Sequence, residues 1–294
     1  MAGTLKRTLP SAVKRSGAAV LICAAVLAAV AFRDAGAPPR QQDTDLPSQA
    51  IAGRLHYVAY LPQGYDEGTT RYPVVYLLHG LPAGSTSYQG VGFVEQALDA
   101  TGSPAILIAP QGSTDSKTDP EYLDSGPGNR WDTAITSELV HAVDARFRTI
   151  PSRTGRALVG VSAGGYGAMH LTLKHLDLFA AVESWSGYFH PTDPTGTKPL
   201  DLGSATANAA ANVHRQVQAS KARLKALKPF IAFYVGRSDT RFLAENEQLN
   251  LELSRAGIAH VFRLYTGGHD QKLWQTYAAP WLSLALAHLD PAAS

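Results

Sequence analysis

From Arg54 onward the apolar positions fall into short runs separated by longer amphipathic stretches. In RLHYVAYLP (54–62) Leu55, Tyr57, Ala59 and Leu61 recur at every second position, the pattern of a half-buried strand. YPVVYLL (72–78) and PAILIAP (104–110) are continuous apolar runs, as in strands covered on both faces. RALVGV (156–161), AAVES (180–184), PFIAFYVG (229–236) and HVFRLY (260–265) predict further strands. Ile135, Leu139, Val143 and Phe147 share one helix face in DTAITSELVHAVDARF, and Leu249, Leu253 and Ala256 share another that stops at Gly257. A last helical pattern, QKLWQTYAAPWLSLAL, lies near the C-terminus. This alternation predicts an α/β fold, a mostly parallel, doubly wound sheet with helices on both faces.

Two stretches depart from the rhythm. Residues 34–50, DAGAPPRQQDTDLPSQA, are polar and Pro-rich without periodicity and read as a linker, so the folded domain is expected over residues 51–290. Phe189 to Lys228 is first rich in Pro and Gly and then helical and basic, and it reads either as an excursion that roofs the site or as a long surface connection. No internal repeat is visible.

Length and composition narrow the class. A chain of 294 residues, 45% hydrophobic and 17% charged, can bury one sizeable core. Its net charge of +2 includes Lys6, Arg7, Lys14 and Arg15, and no later run of cations resembles a phosphate-tracking patch, which argues against a nucleic-acid partner. Those four cations precede an uncharged apolar segment, residues 17–32, shorter than the roughly 20 residues of an ordinary spanning helix. Residues 1–33 therefore read as an export signal, cleaved at a small-residue site or retained as a membrane anchor. The expected location is extracellular or on the outer face of the cytoplasmic membrane. The single cysteine, Cys23, lies inside that segment, so the domain itself must be held by packing and not by disulfides.

The chemistry is announced at ALVGVSAGGY (157–166). Gly160-Val-Ser162-Ala-Gly164 has the form G-x-S-x-G, with a predicted strand before it and a helix after it. A serine on such a sharp turn occupies strained backbone, and glycines two residues either side remove side chains that would collide with neighbouring elements. The turn also aims a helix start at the hydroxyl, so the Ala163 N–H can stabilise charge developing on a substrate oxygen. A loosened dinucleotide fingerprint is the competing reading of GVSAGGYGA, but that fingerprint belongs in the first β-α unit and this turn follows several strands.

A serine hydroxyl needs a base, and the base needs an orienting acid. His269, in Thr266-Gly-Gly-His-Asp270 after the strand HVFRLY, is the histidine placed at a strand's carboxyl end before a helix. Asp239, in Val235-Gly-Arg-Ser-Asp-Thr240 after FIAFYV, completes the order Ser, Asp, His. Asp270 is too near the base in sequence to orient its ring and is expected to support the loop. His79-Gly-Leu-Pro82 after YPVVYLL is the natural source of a second oxyanion donor, the Leu81 N–H, with His79 a polar anchor at the strand end. No HExxH or paired Cys/His spacing is present, and neither metal nor cofactor is expected.

Four segments in order, YPVVYLLHGLPAG, RWDTAITSELVHAVDARF, GRALVGVSAGGYGAMHLTLKHLDLFAAVESWSG and GGHDQKLW, resemble the esterase D group of α/β hydrolases. That group includes S-formylglutathione hydrolases, feruloyl and siderophore esterases and mycobacterial mycolyltransferases. The resemblance runs from about Arg54 to Leu289 and implies Ser162 as nucleophile, Asp239 as acid, His269 as base, and Leu81 and Ala163 as oxyanion donors. It also implies that Trp131 and Glu138 support the nucleophile loop. HGLPAG and W-D-T-x-x-T-S-E-L are similar to the mycolyltransferases, whereas those carry a Glu as the acid; GGHD followed by Trp274 is more like the bacterial esterases. The expected activity is hydrolysis of a small-molecule, lipid or carbohydrate acyl ester through an acyl-enzyme. Acyl transfer to a sugar or lipid hydroxyl, and non-catalytic cell-wall binding, are the alternatives. Trp131, Trp185 and Ser186, with Tyr122 and Asn129, are candidates to line the substrate pocket, and the loop 112–130 and the excursion to set acyl length.

Overall fold

A computed structural model of the chain describes residues 40–90, 92–115, 121–193 and 198–293. The expected export segment lies outside these. Among the described residues no helix is long and apolar enough to cross a membrane.

The chain runs β1 (Gln41–Ser48), β2 (Gly53–Tyr60), β3 (Val74–Leu78), α1 (Gly92–Ala100) and β4 (Ile106–Pro110). A helical stretch α2 follows in three parts, Trp131–Thr133, a π-helical turn Ala134–Leu139, and Val140–Arg146. Then come β5 (Arg156–Val161), α3 (Ala163–Lys174), β6 (Ala181–Trp185), the short helices α4 (Ala205–Ala211), α5 (Val213–Ala219) and α6 (Lys221–Leu227), and β7 (Phe230–Gly236). The chain ends with α7 (Leu243–Ala256), β8 (Val261–Tyr265) and α8 (Gln271–Leu286). The eight strands form one sheet in the order β1-β2-β4-β3-β5-β6-β7-β8, antiparallel at β1–β2 and β2–β4 and parallel elsewhere.

Continuous apolar strands are what a sheet covered on both faces requires, and β3, β4 and β6 are buried along their whole length. One core, under α2, α3, α5 and α7, includes Tyr76, Leu158, Phe179 and Phe233; the other, under α1 and α8, includes Leu77, Val159, Trp185 and Trp281. The helix face expected of Ile135, Leu139, Val143 and Phe147 is buried, as are Leu249, Leu253 and Ala256 of α7, which ends at Gly257 with φ 68°.

The sheet begins earlier than its hydrophobic pattern implies. Residues 41–48 of the expected linker form β1, paired with β2 from Gln41 opposite Tyr60 to Ser48 opposite Gly53. As an edge strand it faces the core with little beyond Leu46 and Ser48, so it carries almost no apolar signature. Glu138 accounts for its anchorage, accepting hydrogen bonds from the Ser48 hydroxyl and from the backbone N–H groups of Gln49 (3.1 Å) and Ala50 (3.0 Å). The expectation that Glu138 supports the nucleophile loop is thereby corrected: it holds the β1–β2 turn.

Register brings the strand ends together. Leu78 lies opposite Gly160, Val161 opposite Trp185, Trp185 opposite Tyr234, and Gly236 opposite Tyr265. The loops leaving β3, β5, β7 and β8 therefore emerge along one edge.

Candidate active site

Ser162 sits between β5 and α3 with φ 55° and ψ −118°, a conformation costly for a residue with a side chain, about 1–3 kcal/mol. Its N–H donates to the Trp185 carbonyl (2.8 Å), and its own carbonyl accepts from Gly165 N–H (2.8 Å), which pins the turn from both sides. The flanking glycines are sterically obligatory. A Cβ at Gly160 would run into the Gly164 carbonyl, and one at Gly164 into the Leu78 carbonyl on β3. Serine is thus pushed to the sheet's edge while helix and strand close beneath it.

The Asp239 and His269 loops are joined by their backbones. Arg237 N–H donates to the Tyr265 carbonyl (2.8 Å) and Ser238 N–H to the Gly267 carbonyl (2.9 Å); a Cβ at Gly236 would collide with Gly267. Two residues 30 positions apart are brought within hydrogen-bond distance in this way. Asp239 is buried at 2% exposure, and its Oδ1 faces the N–H groups of Arg241 and Phe242, both at 3.3 Å. Its Oδ2 lies 2.8 Å from His269 Nδ1, and His269 Nε2 lies 2.9 Å from Ser162 Oγ. The imidazole is fixed laterally by two aromatic edges, Phe242 at 5.1 Å and Trp274 at 5.3 Å. With Nδ1–H donating to the carboxylate, Nε2 is the acceptor facing the hydroxyl. Asp270 does support its loop, accepting from Gly268 N–H (3.0 Å) and from Leu273 N–H (2.9 Å) at the start of α8.

Ser162 and His269 open onto a cavity of about 570 Å³. Leu81 lines it, and Ala163, directly after Ser162, is the first residue of α3, so its N–H is one of the helix's initial donors without an intrahelical acceptor. Gly80 passes so close to the serine that a Cβ there would lie 3.0 Å from Ser162 Cβ. His79 is a buried anchor. The Gly112 N–H donates to its Nε2 (3.1 Å), which leaves the ring proton on Nδ1, 3.2 Å from the Gly80 carbonyl. Burial pushes the His79 pKa down to about 4, so the ring is neutral near pH 7.

The cavity walls differ from those expected. Trp131, Trp185 and Ser186 do not line it. Trp131 is in the core with its Nε1–H on Asn129 Oδ1 (2.8 Å); Trp185 packs on Trp281 and donates to Glu183 (2.9 Å). Ser186, with φ 52°, accepts from Trp274 Nε1–H (3.0 Å) and so sets the angle of a residue that does line the cavity. Tyr122 and Asn129 are not among the lining residues either, and among the described residues none comes from the loop 112–130 or from Phe189 to Lys228. Among the described helices of the excursion, α5 packs against α3 and α7. The walls include Leu77, Phe93, Val94 and Val161, Tyr188, Arg241 and Phe242, and Gln271 and Trp274 at the start of α8. Arg241, Phe242, Gln271 and Trp274 follow Asp239 and His269 by a few residues, so their neighbourhood was a usable signal. Phe93, Val94 and Tyr188 carry none, because only the tertiary fold brings them there.

The esterase family model, described as "Putative esterase", matches residues 48–279. The chain belongs to this esterase family. Esterase Rv1288 of Mycobacterium tuberculosis is 29% identical over 242 residues, 71% of this chain and 51% of that protein. The chain thus spans about half the length of that relative. Diacylglycerol acyltransferase/mycolyltransferase Ag85A of Mycobacterium leprae is 29% identical over 149 residues, 49% of this chain and 44% of that one. A ferulic acid esterase structure superposes with a TM-score of 0.73 at 23% identity, over 85% of this chain and 98% of that one. The S-formylglutathione hydrolase of Agrobacterium tumefaciens gives 0.69 at 19% identity, over 85% and 95%. The chain therefore has the α/β-hydrolase fold anticipated from its strand and helix pattern.

Proposed function

We propose that this protein is a serine carboxylesterase working through an acyl-enzyme, with Ser162 as nucleophile, His269 as base and Asp239 as the orienting acid. The observation that carries the reading is the chain of contacts from Asp239 Oδ2 through His269 to Ser162 Oγ, at 2.8 and 2.9 Å, opening onto a cavity. Ser162 Oγ attacks the ester carbonyl as His269 Nε2 takes its proton, and the tetrahedral oxyanion accepts hydrogen bonds from the Leu81 and Ala163 N–H groups. His269 then hands the proton to the leaving alkoxide. In the second half-reaction it activates water, which releases the acid and restores the serine. The mainly apolar walls fit an ester with an apolar acyl or aryl portion.

Turnover of p-nitrophenyl esters by the wild type and by Ser162→Ala tests the reading. A loss of at least about ten-thousandfold in kcat is expected; equal turnover overturns it. The mycolyltransferase relative motivates a second reading, capture of the acyl-enzyme by a sugar or lipid hydroxyl. Transfer product formed with trehalose or glycerol at the expense of free acid would favour it. A cell-wall binding module without chemistry would need no such relay, and failure to react with a fluorophosphonate probe would favour that instead. The cations before the apolar segment 17–32 support export; deletion of residues 1–33 is expected to retain the protein in the cytoplasm, checked by cell fractionation.

A further inference from the structure

Tyr122 lies 43 residues from His79 in sequence, yet its hydroxyl donates to the His79 carbonyl at 2.7 Å. It is buried at 2% exposure, and its ring runs through a gap made by two glycines. A Cβ at Gly112, beyond β4, or at Gly167, on α3, would collide with that ring. Tyr122 therefore contacts both parts of the chain that carry the proposed oxyanion donors: α3, which begins with Ala163, and the segment His79-Gly80-Leu81.

The geometry of that segment makes the hydroxyl consequential. A trans peptide has its C=O and N–H pointing opposite ways, so whatever holds a carbonyl aims the N–H across the same plane. The His79 ring, through Nδ1–H, faces the Gly80 carbonyl, whose peptide bears the Leu81 N–H. Tyr122 holds the carbonyl of the preceding peptide. Two successive peptide planes are thus fixed at the exit of β3, one by a ring that is itself oriented by Gly112, the other by Tyr122.

Tyr122 is held in a disfavoured conformation to do this. Glu121 and Tyr122 both have positive φ, 50° and 66°, uncommon for residues with side chains. The buried Glu121 carboxylate accepts from the Tyr188 hydroxyl and from Thr192 N–H and Oγ1–H, both at 2.6 Å, which ties the strained pair to the cavity wall.

We propose that Tyr122 is a positioning residue that fixes the His79-Gly80-Leu81 segment so that the Leu81 N–H meets the oxyanion. The proposal rests on the esterase reading above. Tyr122→Phe keeps the ring and removes the donor. The expected result is a kcat lowered about tenfold to a hundredfold, the scale on which misplacement of a catalytic group acts, with KM within about twofold. Affinity for an aryl boronic acid, whose serine adduct mimics the tetrahedral oxyanion, falls in parallel with kcat. Rates are normalised to sites titrated by a fluorophosphonate ester, so a partly folded preparation does not imitate the effect. Gly112→Ala, which presses on the ring while keeping the phenol, gives a second route to the same signature. Wild-type kcat in either variant, or a change confined to KM, overturns the proposal. If Ser162→Ala is inactive while Tyr122→Phe is not impaired, positioning alone is wrong; if Ser162→Ala turns over normally, the esterase reading itself has failed.

Discussion

Glu183 is a fully buried carboxyl on β6 that the proposed chemistry does not use. It accepts from Trp185 Nε1–H (2.9 Å) and the Tyr234 hydroxyl (3.0 Å), and burial pushes its pKa up to about 8 from an ordinary 4.5. Because the folded state holds this proton more tightly than the unfolded state, stability is greatest below about pH 4.5 as far as this group is concerned and declines as pH rises towards 8. Glu183→Gln removes the titration, while the Tyr234 hydroxyl can turn to accept from the amide. Chemical denaturation at pH 6 and pH 8 should show the variant losing less stability over that interval than the wild type, by on the order of 1–3 kcal/mol. Equal slopes would mean that the Glu183 carboxyl is already ionised in the folded state at pH 6. At this scale the sequence was most legible where backbone geometry dictates residue type. Ser162, Asp239 and His269 each follow a strand end, and sheet topology alone brings strand ends together. Proximity in sequence misled for the aromatics: Trp131 and Trp185 stand near motif residues, but their large apolar surface is drawn into the cores and leaves Trp274 and Phe242 to face His269.

Among the described strands, β1 was the one hidden from its hydrophobic pattern, since an edge strand can be held by its ladder and by one well-placed carboxylate; the helices α1 and α4 were not read from the sequence either. Glu138→Ala leaves the Ser48 hydroxyl and the Gln49 and Ala50 N–H groups without that acceptor. A loss of about 1–3 kcal/mol is expected, read as a lowered Tm. Turnover per titrated site should stay at the wild-type value, because Glu138 does not line the cavity. A fall in kcat without a fall in Tm would restore the role in the nucleophile loop. The central strands β3 and β4 were readable because burial on both faces forces unbroken apolar runs. The helices α5 and α6 were readable as a helical, basic stretch, and Val213, Val217 and Leu224 are buried, but a helical pattern names a buried face and not its partner. Hence a roof over the site and a surface connection both stayed open, and the packing of α5 on α3 and α7 was not legible.

At the scale of the whole fold, the excursion is fastened to α7 by an ionic cluster. Glu245 on α7 accepts from Phe189 N–H (3.0 Å), lies 2.6 Å from His190 Nδ1 and 3.4 Å from His214 Nε2, while His214 Nδ1 lies 2.7 Å from Glu252. Both ring nitrogens of His214 therefore face carboxylate oxygens, an arrangement that only the doubly protonated ring satisfies. Burial pushes Glu245 up, but the bonds from His190 and His214 outweigh it and hold its pKa at about 2. His190 is raised by its bond to Glu245 against burial, with Glu121 adding to the field. His214 is raised by Glu245 and Glu252 against a burial that pushes it down. The carboxylate's contribution is complete above about pH 4.5 and is lost as pH falls towards 2; the histidines' contribution is complete below about pH 6.5 and is lost as pH rises through their raised values. The fastening is strongest between those limits. Glu245→Gln should cost on the order of 1–3 kcal/mol near pH 5.5 and progressively less above neutrality, where the wild type has already lost its imidazolium partners. Tm measured from pH 4 to 9 decides it. A wild-type-minus-variant difference that stays constant across that range would show that Glu245 acts as a neutral acceptor and that the cluster carries no charge.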